Sequence, residues 1–98
     1  MYRVFRLLPT NLPALDAVYH DNVAGRQSIT VREAKTLGLT GEGSLVLIEG
    51  SDEGVARAEA LLKDNATPVT GAEAEAAHNA FRSQDEDAAA GMGFVFGG

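Results

Sequence analysis

SLVLIEGSDEGVARAEALLK, residues 44–63, is the stretch that decides the fold. It opens with the continuous apolar run of residues 45–48, which is typical of a strand covered on both faces. Gly50 ends this run, and Ser51 or Asp52 can cap a following helix by accepting a hydrogen bond from an unpaired backbone N–H. Apolar residues then recur at helical spacing and form one stripe, at Val55, Ala58, Leu61 and Leu62. The stretch therefore predicts a buried strand, an acidic turn and an amphipathic helix.

Length and composition indicate one globular α/β domain over residues 1–98, with room for one packed core. Cysteine is absent, which excludes disulfides and thiolate metal sites. The chain begins with a strand-like segment in place of a secretory signal, and no run has the length of a transmembrane helix. These features predict a cytoplasmic protein.

Charge is distributed unevenly along the chain. Residues 1–50 contain five basic and five acidic residues, whereas residues 51–98 contain three basic and nine acidic ones, so the whole net charge of −6 lies in the second half. Such a surface repels nucleic-acid phosphates and anionic membranes and attracts cations or basic protein partners. We therefore expect no nucleic-acid and no membrane binding.

Further strand and helix signals alternate on both sides of the central stretch. Before it, residues 2–8 predict a strand, residues 10–20 a short helix, and residues 27–29 a very short strand. Thr30 and Glu33 have the spacing of a capping box, in which two side chains satisfy two backbone N–H groups, and this predicts a helix that ends at Gly38.

After the central stretch, residues 67–69 predict a short edge strand, because Pro68 cannot donate to a sheet ladder. A second capping box, Thr70 to Glu73, opens a helix whose apolar side contains Ala74, Ala77 and Phe81. Gly91 is expected to end that helix, and residues 92–96 then predict a last strand docked into the sheet.

The alternation of elements predicts an α+β fold. We expect a two-layer sandwich with a mixed sheet of four to five strands and three to four helices, in which the strand of residues 44–49 is central.

Two groups of carboxylates are candidate cation ligands. Asp85, Glu86 and Asp87 lie late in the last helix, or at the start of a new helix if the chain breaks at Ser83, where Ser83 to Glu86 resembles a capping box. Together with Asp52 and Glu53 they could bind Ca²⁺ or Mg²⁺, which prefer clustered oxygen ligands. Neither group has the spacing of a calcium-binding loop, and a solvated acidic surface is the alternative.

His20 and His78 are the only histidines. Either could serve as a general acid or base, but no serine lies in the tight turn that presents a nucleophile in hydrolases. Structural roles at a helix end and on a helix face are the alternative. No residue is therefore assigned as catalytic or as a cofactor ligand.

Three segments together resemble small conserved archaeal proteins, chiefly of methanogens. These are SITVRE (residues 28–33), VLIEG (46–50) and the ending DAAAGMGFVFG (87–97). The resemblance implies an acidic α+β domain, with calcium binding in at least one such protein type, and implies no catalytic residue.

Three functions remain open at this point. The first is a non-enzymatic protein-interaction domain that acts through its acidic half or its last strand, with a protein partner or as a homodimer. The second is a Ca²⁺-binding protein, and the third is a small enzyme with a histidine acid/base.

Overall fold

The computed structural model describes the backbone of residues 1–97 and the side chains of residues 1–84. The strands are β1 (Tyr2–Leu7), β2 (Ser28–Glu33), β3 (Ser44–Glu49) and β4 (Thr67–Val69), and the α-helices are α1 (Leu15–His20), α2 (Asp52–Leu62) and α3 (Gly71–Gly97). Short 3₁₀ helices cover Pro9–Ala14, Ala24–Arg26 and Ala34–Leu37. Within the described residues, no helix is both long and apolar enough to cross a bilayer.

The four strands form one antiparallel sheet in the order β2-β3-β1-β4. The α+β fold and the central position of β3 are confirmed. Every neighbouring pair is antiparallel, whereas a mixed sheet was expected. Antiparallel pairing follows from the connections: β2 returns directly into its neighbour β3, whereas the connections from β1 to β2 and from β3 to β4 each cross over one intervening strand, so the strands that run parallel are not neighbours.

Helices cover both faces of this sheet. One apolar cluster joins Phe5, Val46 and Ile48 of the sheet to α1 and α2, and a second joins Val4, Leu45 and Leu47 to α3. Residues 45–48 of β3 are therefore buried alternately on the two sides, as their continuous apolar run predicts. The sandwich has a third layer, which α3 provides.

The turn from β3 into α2 is fixed by hydrogen bonds at the helix start. Ser51 is the N-cap, and its Oγ accepts from the N–H of Gly54 at 3.1 Å. The amide of Gln27 spans the same turn: its Oε1 accepts from the N–H of Ser51 at 3.0 Å, and its Nε2 donates to the carbonyl of Val23 at 2.9 Å. The predicted cap is confirmed, and Gln27 ties it to the chain that leads into β2.

The predicted helix after residue 29 is wrong. Residues 28–33 continue as a strand that pairs with β3 along its whole length, from Ser28 opposite Glu49 to Glu33 opposite Ser44. Ile29, Thr30 and Val31 are β-branched, and the ladder to β3 satisfies the backbone groups that a capping box would have served. Only the helix end is correct, since Gly38 adopts a left-handed conformation with φ of 75°.

The last predicted strand is also wrong. The backbone is helical from Gly71 to Gly97, so of the two alternatives at Ser83 the continuous helix is the one that forms, and the helix does not end at Gly91 as expected. A short apolar run such as residues 92–96 fits either periodicity: Met92, Phe94 and Phe96 recur every two residues, as on one face of a strand, and Met92 and Phe96 are also four residues apart, as on one face of a helix. Sequence alone does not separate the two structures there.

Candidate functional site: a polar groove beside an open sheet edge

His78 is held on the sheet by two side chains from neighbouring strands. Its Nε2 lies 2.8 Å from Oε1 of Glu49, a hydrogen bond in which the carboxylate accepts. The ring of Tyr2 stacks on the imidazole, with the centroids 3.9 Å apart and the planes 15° from parallel. Tyr2 and Glu49 are directly opposite each other in the β1–β3 register, so one position of the sheet presents both contacts. This pairing fixes the orientation of the imidazole.

A groove of about 450 Å³ opens beside this histidine. Its polar lining comes from three elements: hydroxyls of Ser28 and Thr30 on β2, the carboxylate of Glu49 on β3, and His78 with Arg82 on α3. Leu47 and Phe81 form its apolar base. The side chain of Glu49 is 42% exposed and that of His78 only 19%, so the carboxylate is the more accessible partner. The exposed part of the Glu49 carboxylate can accept a hydrogen bond from a donor that enters the groove, which Arg82 also lines.

The groove ends at β2, which is an edge of the sheet. The N–H of Ala34 donates to the carbonyl of Gly43 at 3.0 Å, so even-numbered positions of this strand direct their backbone groups toward β3. The backbone groups of Ile29 and Val31 therefore point away from the sheet. Within the described part of the chain, the one hydrogen bond to these outward groups is that from Nη1 of Arg32 to the carbonyl of Val31, at 2.7 Å. β2 thus presents a six-residue ladder for another strand.

The opposite edge is protected against pairing. β4 has three residues, and its central one, Pro68, has no N–H. A short strand that contains proline is a common way for proteins to close a sheet edge. The two edges of this sheet therefore differ, and among the residues that the structure describes β2 is the edge that offers outward backbone groups for pairing.

Asp21, at the end of α1, is held by three short hydrogen bonds, one of them to a charged side chain. Its carboxylate accepts from the backbone N–H groups of Val23 and Ala24, both at 2.9 Å, and from Nε of Arg57 at 2.9 Å. The Ala24 hydrogen bond first, then the Arg57 side chain, lower the pKa of Asp21 below its ordinary value. The two backbone contacts fix the turn that follows α1, and the Arg57 contact connects this turn to α2, so we interpret Asp21 as a structural residue.

The predicted cation ligands are not brought together by what the structure describes. Asp52 and Glu53 are exposed in the first turn of α2. Asp85, Glu86 and Asp87 fall within the helical span of α3, and their side chains lie outside the described residues. Among the described side chains, no group of three or more His, Asp or Glu residues could hold a metal ion. The Ca²⁺ site stays a prediction.

The two histidines have different surroundings. Nδ1 of His20 lies 2.8 Å from the carbonyl of Asp16, within its own helix, and the residue is exposed. His78 lies in the groove, as the enzyme hypothesis requires of one histidine. The sequence did not indicate Tyr2 and Glu49 as its neighbours, because their juxtaposition depends on strand order.

Comparison with known protein families, with characterised proteins and with solved structures finds no match to this chain. The features of the molecule that bear on function are therefore the groove and the open edge.

Proposed function

We propose that this chain is a non-enzymatic, cytoplasmic protein-interaction domain that binds its partner by adding a strand to β2. The observation that carries the proposal is the open ladder of β2 in a sheet whose faces are covered by helices and whose other edge contains Pro68. Strand addition uses main-chain hydrogen bonds for affinity and alternate side chains for selectivity.

The side chains of β2 suit this role. Ile29 and Val31 are only partly buried and face the α1/α2 side, where they extend the apolar surface of the sheet. Ser28 and Thr30 face the groove on the other side. A strand that pairs here therefore meets apolar contacts on one face and polar contacts on the other, which selects for an amphipathic partner strand.

The variant Val31→Pro tests this proposal. The N–H that it removes points away from β3, so the ladder inside the domain stays intact while the outer ladder loses a central donor. Hydrogen exchange of the Ile29 and Val31 amides should slow when the partner binds the wild-type chain, and the variant should lose the partner while keeping its thermal midpoint within a few degrees. A bound partner that leaves both amides unprotected would refute strand addition.

A matched variant separates edge blocking from a general effect of proline. Lys35→Pro places proline in the exposed 3₁₀ helix that follows β2, outside the ladder. It should keep partner binding. Equal loss of binding in the two variants would assign the effect to backbone distortion.

The hydrogen bond between His78 and Glu49 favours one other function, a small hydrolase in which Glu49 orients His78 as a general base toward the groove. Turnover of p-nitrophenyl acetate or p-nitrophenyl phosphate by the wild-type chain, with loss of at least tenfold in His78→Gln, would support it. Equal rates in the two proteins would exclude His78 as the base for these substrates.

A further inference from the structure

We infer that the strand added at β2 is β2 of a second copy of this chain, so that two four-stranded sheets join into one across a two-fold axis at Thr30. The inference rests on the proposed function, and it names the partner. It follows from the pattern of side chains on β2 and from the exposed carboxylate of Glu49 in the groove beside it.

The side chains of β2 are arranged symmetrically about Thr30. Ile29 and Val31 flank it, and Ser28 and Arg32 follow on either side. In an antiparallel pair centred on Thr30, Ile29 of each copy is opposite Val31 of the other, Thr30 is opposite Thr30, and Ser28 is opposite Arg32. Apolar residues thus meet apolar residues, and hydroxyls meet hydroxyls, both of which are favourable cross-strand pairs. An isologous interface requires such self-complementarity.

The backbone geometry agrees with this register. The backbone N–H and C=O groups of Ile29 and Val31 point outward, so each pair of Ile29 with Val31 of the other copy is of the type that exchanges two hydrogen bonds. The two pairs together form about four hydrogen bonds between the copies. In the single copy the carbonyl of Val31 accepts from Nη1 of Arg32. In the pair this carbonyl accepts from the N–H of Ile29 in the other copy instead, which releases the guanidinium. No like charges are placed opposite one another.

Pairing about Thr30 places the Arg32 side chain of the second copy beside the groove. Arg32 lies on the same face as Ser28 and Thr30, because side chains two apart on a strand share a face. In the paired sheet, Arg32 of the second copy is about 4.5 Å from Ser28 between Cα atoms, and Glu49 is about 5.5 Å beyond Ser28 in the next strand. An extended arginine and a glutamate span that separation. The half-exposed carboxylate of Glu49 is thus the acceptor for this guanidinium, twice in each dimer.

Centring the pair elsewhere loses this match. A two-fold axis at Arg32 would place the two arginines side by side, and like charges directly opposite each other are destabilising. An axis at Val31 would place Glu33 opposite Ile29, a charge against an apolar residue. Of these three registers, the one at Thr30 satisfies both faces of the strand.

Sedimentation equilibrium and amide hydrogen exchange on the full chain test the inference, at concentrations from about 1 µM to 1 mM, the range in which weak and moderate dimers dissociate. The wild type should form a dimer with protected Ile29 and Val31 amides. Val31→Pro should be monomeric, and Arg32→Glu should weaken dimerisation about tenfold or more, because it places a carboxylate near Glu49 twice in each dimer. Lys35→Glu changes the net charge by the same amount outside the strand and should leave the dimer unchanged.

The double variant Arg32→Glu with Glu49→Arg restores opposite charges across the interface and should recover at least part of the lost affinity. Recovery would support the register, and its absence in a folded double variant would overturn it. A wild type that is monomeric at 1 mM would overturn the second copy as partner. In that case, protection of Ile29 and Val31 by a different protein would still uphold the proposed function. A dimer that Val31→Pro leaves intact would overturn the pairing of two copies at β2.

Discussion

Gly43 gives the most direct test of how the chain enters the central strand. The residue precedes β3 with φ of 78°, and its carbonyl accepts from the N–H of Ala34 at 3.0 Å. A Cβ at this position would overlap the backbone carbonyl oxygen of Leu7 at the end of β1. Neither obstacle lies in a flexible side chain, so the substitution Gly43→Ala must move backbone at the point where β1, β3 and the Ala34–Leu37 turn meet.

Gly38 provides the matched control. Its φ of 75° is almost the same, but a Cβ there would meet nothing within 4 Å. Gly38→Ala therefore carries only the left-handed penalty, about 1–2 kcal/mol. Gly43→Ala carries that penalty and an overpacking term of about 1–3 kcal/mol, for a total of about 2–5 kcal/mol. The gain from a less flexible unfolded chain is common to both substitutions and cancels in the comparison.

Urea denaturation followed by far-UV circular dichroism measures both variants on the same wild-type reference. We expect Gly43→Ala to lower the free energy of unfolding by at least 1 kcal/mol more than Gly38→Ala, with similar slopes in urea. For a domain of this size, each kcal/mol corresponds to about 4–8 °C in the thermal midpoint. If the two variants agree within about 0.5 kcal/mol, the close approach of Gly43 to Leu7 is not a constraint on the fold.

Three further outcomes are expected. The pKa of Asp21 is lower in the folded chain than its ordinary value of 3.8, so its contribution to stability is present above that value and is lost as the pH falls through the folded pKa. In Asp21→Asn, the free energy of unfolding should therefore decrease less steeply with falling pH in the acidic range. An unchanged pH dependence would refute the structural role of the Asp21 carboxylate. Phe81→Ala should lower the free energy of unfolding in urea by about 3–5 kcal/mol, because Phe81 is 2% exposed between α3 and the sheet. A decrease of less than about 1 kcal/mol would mean that α3 does not pack on the sheet at this position. Ser51→Ala should lower the free energy of unfolding by about 1 kcal/mol, because it removes the N-cap hydrogen bond that the Ser51 hydroxyl accepts from the N–H of Gly54. Ser51→Asp should recover most of this loss in the same assay.

The strand and helix of residues 44–63 could be predicted because local and tertiary requirements agree there. Residues 45–48 are apolar without alternation, and the structure buries them on two faces. Ser51 favours a helix start, and it caps α2. Where every local preference supports the same element, the burial pattern can be read directly from the sequence.

β2 could not be predicted in the same way, because Thr30 has two possible partners. Its hydroxyl could cap a helix with Glu33, or the residue could join a ladder with β3. The choice depends on whether β3 is available at a distance along the chain, which propensity does not report. The Tyr2, Glu49 and His78 cluster has the same origin: it needs the order of three elements, and nothing local connects those residues.

The register of β2 determines both features of the candidate site. Ser28 and Thr30 face the groove, and Ile29 and Val31 turn their backbone groups outward, because of the same pairing with β3. A shift by one residue would exchange the two faces, placing Ile29 and Val31 in the groove beside Glu49 and directing the backbone of Thr30 to the edge. The groove would then lose its hydroxyls at the same time as the edge lost its apolar pair. Because helices cover both faces of the sheet, another strand can pair with it only at an edge, and Pro68 blocks one of the two edges. At the other edge, the register of β2 places the carboxylate of Glu49 within reach of a strand that pairs there.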